Sequence, residues 1–233
     1  MKHALKQFVK SALAKRHLVP ISTMQRLGRP RYLDVFRSEY TNDYVRLSQL
    51  DLAIHEIKFH DIPGDVAEVG VYKGAFARVL NEALPDRNLY LFDTFEGFDP
   101  DQKQSEKQNH GLKNDEDFRD TSVDYVLGQM PHPGRCIIRK GLFPATAVGL
   151  EDRRFSFVSL DPDLYEPTLA GLEYFFDRMS RGGFIFVHDY NNDSYPGVKK
   201  AVLEFSERRG VPFIPVTDFC GTAIFPAQGK ATS

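Results

Sequence analysis

Four groups of residues have types and spacings suited to chemistry. The first is Asp65-Val-Ala-Glu-Val-Gly-Val-Tyr-Lys-Gly74, which sets Glu68 near a strand end and Gly70, Tyr72 and Gly74 in a bend that opens a helix. Glycine lets backbone amides approach a ligand, and Glu68 can accept hydrogen bonds or attract a sulfonium cation. The pattern E-x-G-x-x-x-G lacks the middle glycine of the dinucleotide fingerprint G-x-G-x-x-G, so it favours adenosylmethionine over a nicotinamide cofactor. A tight strand-to-helix turn is the competing reason for the glycines. The second group centres on Asp93 in Leu91-Phe-Asp-Thr-Phe-Glu-Gly-Phe98. It falls about 20 residues after the glycine turn, where nucleotide-binding α/β folds place the carboxylate that grips ribose hydroxyls. Helix capping is its alternative role. The third, Lys140-Gly141, follows a further strand and lies either beside the adenine or in a surface turn.

The fourth group is split between Leu160-Asp-Pro-Asp-Leu-Tyr-Glu-Pro-Thr168 and Val187-His-Asp-Tyr-Asn-Asn192. Asp161 and Asp189 are expected at the carboxyl ends of neighbouring strands, facing one cleft, where two carboxylates can hold a divalent cation or a polar substrate directly. A cation there would orient an acceptor and lower a hydroxyl pKa. His188 is the favoured proton acceptor, with His110 and His132 as further imidazole candidates beside a polar segment. Tyr165 and Tyr190 fit an acceptor pocket or the core equally.

These residues need a scaffold, and the chain can supply one. Its 233 residues are 42% hydrophobic and 27% charged, enough for one substantial core and too few for two comfortable domains. A net charge of −2 offers no broad basic field for a phosphate backbone, so nucleic acid is an unfavoured partner. The two cysteines, Cys136 and Cys220, read as buried thiols in a reducing cytoplasm. No apolar run approaches the roughly 20 residues of a membrane span, and no secretory signal is expected. Basic residues are concentrated before Asp34. Leu5, Phe8, Val9, Ala12 and Leu13 share a helical face, which makes residues 2–16 a candidate basic amphipathic helix within an arm over residues 1–43.

From Tyr44 the order of elements points to an α/β domain reaching residue 226, with a short tail over 227–233. Apolar spacing predicts a helix from Tyr44 to Phe59, a strand from Val66 to Val71, a helix from Ala75 to Leu84 and a strand from Leu89 to Phe92. Further strands are predicted at Cys136–Ile138, Phe155–Leu160 and Phe184–Val187, with a helix over Thr168–Met179 that stops near Gly182-Gly183. A helix around Val198, Ala201, Val202 and Phe205 precedes a strand pair, Phe213–Val216 and Thr222–Phe225. Alternating strands and helices imply a mostly parallel sheet covered on both faces, Rossmann-like, with an antiparallel strand at its C-terminal end. The polar stretch 99–120 follows a strand end and is the candidate lid or insertion.

Taken together, Glu68-Val-Gly-Val-Tyr-Lys-Gly74, Asp93-Thr-Phe-Glu-Gly97, Asp161-Pro-Asp-Leu-Tyr-Glu-Pro-Thr168, Gly182-Gly183 and His188-Asp-Tyr190 resemble the TylF/MycF family of macrocin-type O-methyltransferases. The resemblance implies the class I methyltransferase fold, adenosylmethionine as donor, and a hydroxyl of a saccharide or glycosylated natural product as acceptor. It also implies magnesium, and homo-oligomers whose N-terminal segments help form the acceptor site. Carried across, Glu68, Gly70, Gly74 and Asp93 are cofactor contacts, while Asp161 and Asp189 are metal ligands. The pattern departs at His188-Asp189, where metal-dependent members have two adjacent acids. Histidine suits magnesium poorly, so His188 binds a different metal, handles protons or holds its loop. A nicotinamide-dependent sugar-nucleotide oxidoreductase and a non-catalytic cofactor-binding module are the rival readings.

Overall fold

The computed structural model describes residues 44–227, so the expected arm over 1–43, its basic helix and most of the tail lie outside the described residues. Helix α1 (Tyr44–Phe59) leads into β1 (Asp65–Val69), α2 (Ala75–Ala83), β2 (Leu89–Asp93), α3 (Pro100–Asn109) and α4 (Val123–Gln129). Then come β3 (Cys136–Lys140), β4 (Phe155–Leu160), α5 (Tyr165–Phe176), β5 (Met179–Val187), α6 (Pro196–Arg209), β6 (Ile214–Val216) and β7 (Thr222–Pro226). The strands form one seven-stranded sheet in the order β3-β2-β1-β4-β5-β7-β6. The first five run parallel, and β7 pairs antiparallel with both β5 and β6.

Burial explains the uninterrupted apolar strands. All six residues of β4 are buried, as expected for a central parallel strand covered on two faces. On one face Leu47, Leu50, Ile54 and Ile57 of α1 pack with Leu80 of α2 against Phe157 and Phe186. On the other, α5 and α6 bury Leu172, Phe175, Val198, Val202 and Phe205 against Phe92, Phe155 and Phe225. Among the described residues no helix is long and apolar enough to cross a membrane.

Three expectations shift. The helix predicted at Thr168–Met179 begins at Tyr165 and ends at Phe176. Pro167 falls in its first turn, where a missing N–H costs little, and Met179 already opens β5. Gly182-Gly183 does not stop a helix but lies inside β5, beside a register shift between β4 and β5. A Cβ on Gly183 would stand 2.5 Å from the Ser156 carbonyl oxygen, so the closeness of the strands requires glycine there. Within the 99–120 stretch, α3 forms with almost no apolar face. Asp99 caps it by accepting from the amides of Asp101 (3.1 Å) and Gln102 (3.0 Å), with Pro100 in the first turn.

Phe175 sits where the second core is densest in rings. It lies 5.0 Å from Phe155 edge-on, 5.7 Å from Phe143 in a stacked pair and 5.9 Å from Phe92. Phe175→Ala is expected to cost about 3–5 kcal/mol, because the surrounding aromatics cannot collapse into the space. A lowered urea midpoint with an unchanged denaturant slope is the expected result, and a loss under about 1 kcal/mol would contradict this packing.

Candidate functional site

The carboxyl ends of β1, β2, β4 and β5 open into one cavity of about 340 Å³, large enough to bury most of a small ligand. Glu68, Gly70, Tyr72, Asp93 and Gly141 line one part of it, and Asp161, Asp163, His188, Asp189, Asn192 and Cys220 another. Gly70 makes the two parts adjoin. It takes φ +81°, and a Cβ there would lie 2.1 Å from the carbonyl oxygen of Asp161, so only glycine lets the β1 and β4 chain ends approach this closely.

Asp93 organises the glycine bend. Its Oδ2 accepts hydrogen bonds from the amides of Val71 (2.6 Å) and Tyr72 (2.9 Å), and its Oδ1 accepts from the amide of Phe95 (2.6 Å). The carboxylate thus fixes the turn while facing the cavity, and a single lone pair on Oδ1 is left over from the three amides. Tyr72, at φ +49°, donates from its hydroxyl to Asp120 and sets its ring edge-on to Phe118, 5.1 Å away. Asp120 also receives the Lys73 ammonium, and the Thr121 hydroxyl donates to the Tyr72 carbonyl, so the 99–120 segment is tied directly to the bend.

Glu68 is buried at the end of β1, and its Oε2 has no hydrogen-bond partner among the described residues. Burial, reinforced by the Asp161 charge, lifts its carboxyl well above the usual range, with Arg46 opposing. Such a group holds its proton more readily than an exposed carboxyl does, and an approaching positive charge favours its ionisation.

The other part is a compact ion cluster. His188 Nδ1 is 2.8 Å from Asp161 Oδ1 and 3.2 Å from Asp189 Oδ2, and Arg46 Nη2 donates to Asp161 Oδ2 at 3.2 Å. Arg46 reaches in from α1, its guanidinium lying 4.2 Å over the Phe76 ring. Burial and Arg46 disfavour the charged imidazole, yet the two aspartates outweigh them and raise the His188 pKa well above its ordinary value. Burial opposes ionisation of Asp161 and Asp189 as well. Both are nevertheless held below the carboxylate range, by His188 and Arg46 at Asp161 and by hydrogen bonds from His188 and neighbours at Asp189. Asp163 shifts the other way, lifted by burial and then by the charges of Asp189 and Asp161.

The structure brings together Glu68, Gly70, Tyr72, Asp93, Gly141, Asp161, His188 and Asp189 around one cavity. Lys140 turns outward to pair with Glu96, and Gly74 is the N-cap residue just before α2, where a Cβ would meet Val126 at 2.9 Å. Neither lines the cavity. His110 instead stacks on Tyr165 at 4.1 Å, the His132 backbone is held by the Asn81 side chain, and Tyr190 packs edge-on to Phe213. Sequence reasoning missed Arg46, Asp163 and Cys220. Asp163 is the second acid of the Asp-Pro-Asp run. Cys220, expected buried, is a half-buried free thiol on the cavity wall, and Cys136 is likewise free and half-buried.

Five parallel strands with helices on both faces, a reversed strand inserted beside β5, and a strand-end cavity shaped by a glycine turn make up the class I, Rossmann-like methyltransferase fold. The solved structure of CalS11, a calicheamicin methyltransferase, superposes with a TM-score of 0.62 at 20% identity, covering 91% of this chain and 95% of that one. A family pattern described as macrocin-O-methyltransferase (TylF) matches residues 4–225, and the chain belongs to that O-methyltransferase family. It is 28% identical over 191 residues to the 8-demethyl-8-(2,3-dimethoxy-alpha-L-rhamnosyl)-tetracenomycin-C 4'-O-methyltransferase of Streptomyces olivaceus, spanning 77% of this chain and 72% of that protein. Identity is also 28%, over 179 residues, to the mycinamicin III 3''-O-methyltransferase of Micromonospora griseorubida, covering 71% and 69% of the two chains.

With Glu68 as a contact of the adenosylmethionine cation, binding is expected to displace the proton that burial favours there. Affinity should rise with pH and level off above the raised pKa of Glu68, where no proton remains to expel. Calorimetry in two buffers of different ionisation heat should detect proton release in the wild type and less of it in Glu68→Gln, which should also bind more weakly. Equal proton release by both proteins would remove Glu68 from the cofactor contacts.

Proposed function

We propose that this enzyme methylates a hydroxyl group on a sugar-bearing small molecule, with Glu68, Gly70, Tyr72, Asp93 and Gly141 facing the donor and Asp161, His188 and Asp189 facing the acceptor. The observation that carries the reading is the juxtaposition of the glycine turn and the ion cluster across one cavity, with Gly70 and Asp161 in backbone contact. The activities of the tetracenomycin and mycinamicin relatives, both O-methyltransferases of glycosylated natural products, support a sugar hydroxyl as acceptor.

Bound there, adenosylmethionine would supply the methyl group, the acceptor oxygen bonding to that carbon as the carbon–sulfur bond breaks and adenosylhomocysteine leaves with the electron pair. The hydroxyl proton must leave, and because the two aspartates keep His188 protonated, the ionised carboxylates of Asp161 and Asp189, not the imidazole, are the groups of this cluster able to receive it. Arg46 holds Asp161, and Asn192 Nδ2 donates to Asp189 Oδ1 at 2.7 Å, so both carboxylates are fixed before the acceptor arrives. Fixing them in place is what the chain itself contributes, because methyl transfer depends on holding two partners in line.

The donor set on this side also suits a divalent ion. Carboxylate oxygens of Asp161, Asp163 and Asp189 all lie within 4.8 Å of one another, and the upward shift of Asp163 marks a group short of positive charge. Those three, with His188, would hold it, and a bound ion would polarise the acceptor hydroxyl. A cytoplasmic location and assembly as a homo-oligomer belong to the same proposal. The family match reaching back to residue 4 supports a working role for the arm.

Asp161→Asn and Asp189→Asn are expected to lower kcat by about 10²–10⁴ while changing the Kd for adenosylmethionine by less than about tenfold. Turnover against a panel of deoxysugar glycosides, paired with calorimetric cofactor binding, makes the comparison. Parallel loss of affinity and turnover would place these residues on the donor side instead, and tight cofactor binding without turnover of any hydroxyl acceptor would favour a binding module.

A further inference from the structure

A second ligand set shares Asp189. One imidazole nitrogen of His188, a carboxylate oxygen of Asp189 and the Cys220 thiol all lie within 4.8 Å of one another, and all three residues line the cavity. Nitrogen, oxygen and sulfur donors of this kind suit borderline transition ions, whereas magnesium demands oxygen ligands in near-octahedral order.

The surroundings of the three match what a ligand set of this kind needs. Asp161 stands 2.8 Å and Asp189 3.2 Å from His188 Nδ1, so the ring would ligate through Nε2, with Asp161 as the carboxylate that orients it. Asn192 spans the other two, donating to Asp189 Oδ1 at 2.7 Å and approaching Cys220 Sγ at 3.6 Å. Its own Oδ1 accepts from the Ser194 amide at 2.9 Å, which points the NH₂ end toward both ligands. Cys220 is carried by the turn between β6 and β7, and that turn is pinned to the β5 end by hydrogen bonds from the Tyr190 amide to the Gly221 carbonyl and from the Asn191 amide to the Cys220 carbonyl. The thiol is therefore held over the cluster by backbone rather than by chance of a loop. Asp161, by contrast, already faces the Arg46 guanidinium through Oδ2, so an ion held by carboxylates alone would sit beside a fixed positive charge.

We infer that His188, Asp189 and Cys220 form a binding site for a zinc-like divalent transition ion, with a fourth position open toward the acceptor. Metal–ligand bonds of about 2.0–2.3 Å set tetrahedral ligands about 3.3–3.8 Å apart, so side chains now within 4.8 Å of one another need to close by at most about 1–1.5 Å. The inference deepens the acceptor-side reading and takes from it only the side of the cavity on which the acceptor lies. It replaces magnesium with a thiophilic ion for this chain.

Cobalt(II) is the probe, because its spectrum reports both geometry and sulfur ligation without any turnover. Full-length protein, stripped with chelator and titrated with cobalt(II), is expected to bind one ion, with visible bands of tetrahedral intensity and a thiolate-to-cobalt charge-transfer band in the near ultraviolet. Zinc should displace the cobalt stoichiometrically, and a tenfold excess of magnesium should not. Cys220→Ser should lose the charge-transfer band, and Asn192→Ala should weaken cobalt binding by about 10–100-fold while keeping it. No bound cobalt, a spectrum without the thiolate band, or displacement by magnesium would each overturn the site, and the wild-type spectrum alone decides this whether or not a variant folds. Failure of the methyltransferase reading registers separately, as absent adenosylmethionine binding in the same protein.

Discussion

The constraint on which the site depends is charge compensation among carboxylates gathered at the strand ends. Glu68, Asp161, Asp163 and Asp189 converge where β1, β4 and β5 end, and only two described cationic side chains, Arg46 and His188, are in ionic contact with them. The fold meets the shortage unevenly. Asp161 and Asp189 keep their charges against Arg46 and His188, while Glu68 and Asp163 are pushed toward the protonated form. Two groups, Glu68 beside the glycine bend and Asp163 in the ion cluster, are therefore the ones whose ionisation an entering positive charge would favour. Removing a single partner from a buried pair leaves an uncompensated charge, a loss of about 3–5 kcal/mol. That makes Arg46, on a helix outside the alternating β/α pattern, part of the same machinery as the strand-end acids.

The sheet order makes this convergence possible. β1 lies between β2 and β4, so the Gly70 bend meets Asp93 on one side and the Asp161 backbone on the other. The amide ladder runs on past the strands, from Gly70 to the Phe92 carbonyl, from Asp161 to the Val69 carbonyl and from His188 to the Leu160 carbonyl. These side chains thus project from backbone still held by sheet hydrogen bonds, which fixes their positions better than free loops would. Asp93 illustrates two roles in one group: its carboxylate is consumed largely in shaping the bend, and the ligand meets what is left.

Much of this was legible in the sequence because it follows from period and punctuation. Phe155–Leu160 reads as a buried strand since every residue is apolar or small, and the bend after Val69 reads from its glycines. Glu68, Asp93, Asp161 and Asp189 were recognisable because each follows an apolar run by zero to two residues, which places it at a strand end. Helix α4 escaped notice because it buries only Val126 within its span, and α3 because its one buried side chain is the charged Glu106. Arg46 and Cys220 were out of reach for a different reason. Their roles come from contacts across 115 and 28 residues of sequence, with Asp161 and Asn192 respectively, and no local pattern encodes a long-range pair.

The polar segment between Asp99 and Thr121 shows how a surface without an apolar face is nonetheless ordered. Lys103 supplies one ammonium to the carbonyls of Asp115 and Glu116, each at 2.9 Å, and to the Asp117 carboxylate. Glu106 reaches inward from α3 to accept the Tyr165 amide at 2.8 Å, where the first turn of α5 leaves its N–H groups without helical partners. Phe118 then lodges edge-on to both Tyr72 and Phe98, within 5.2 Å of each ring centre. Exposed ion pairs of this kind contribute little stability individually. Their arrangement, a buried anchor at Glu106 and an aromatic wedge at Phe118 with weaker polar ties to Tyr72 and Lys73, leaves the cavity side of the segment easier to open than its root. The Asp120 contacts therefore give way before α3 does, so the end of the segment over the glycine bend is tied less firmly than its root.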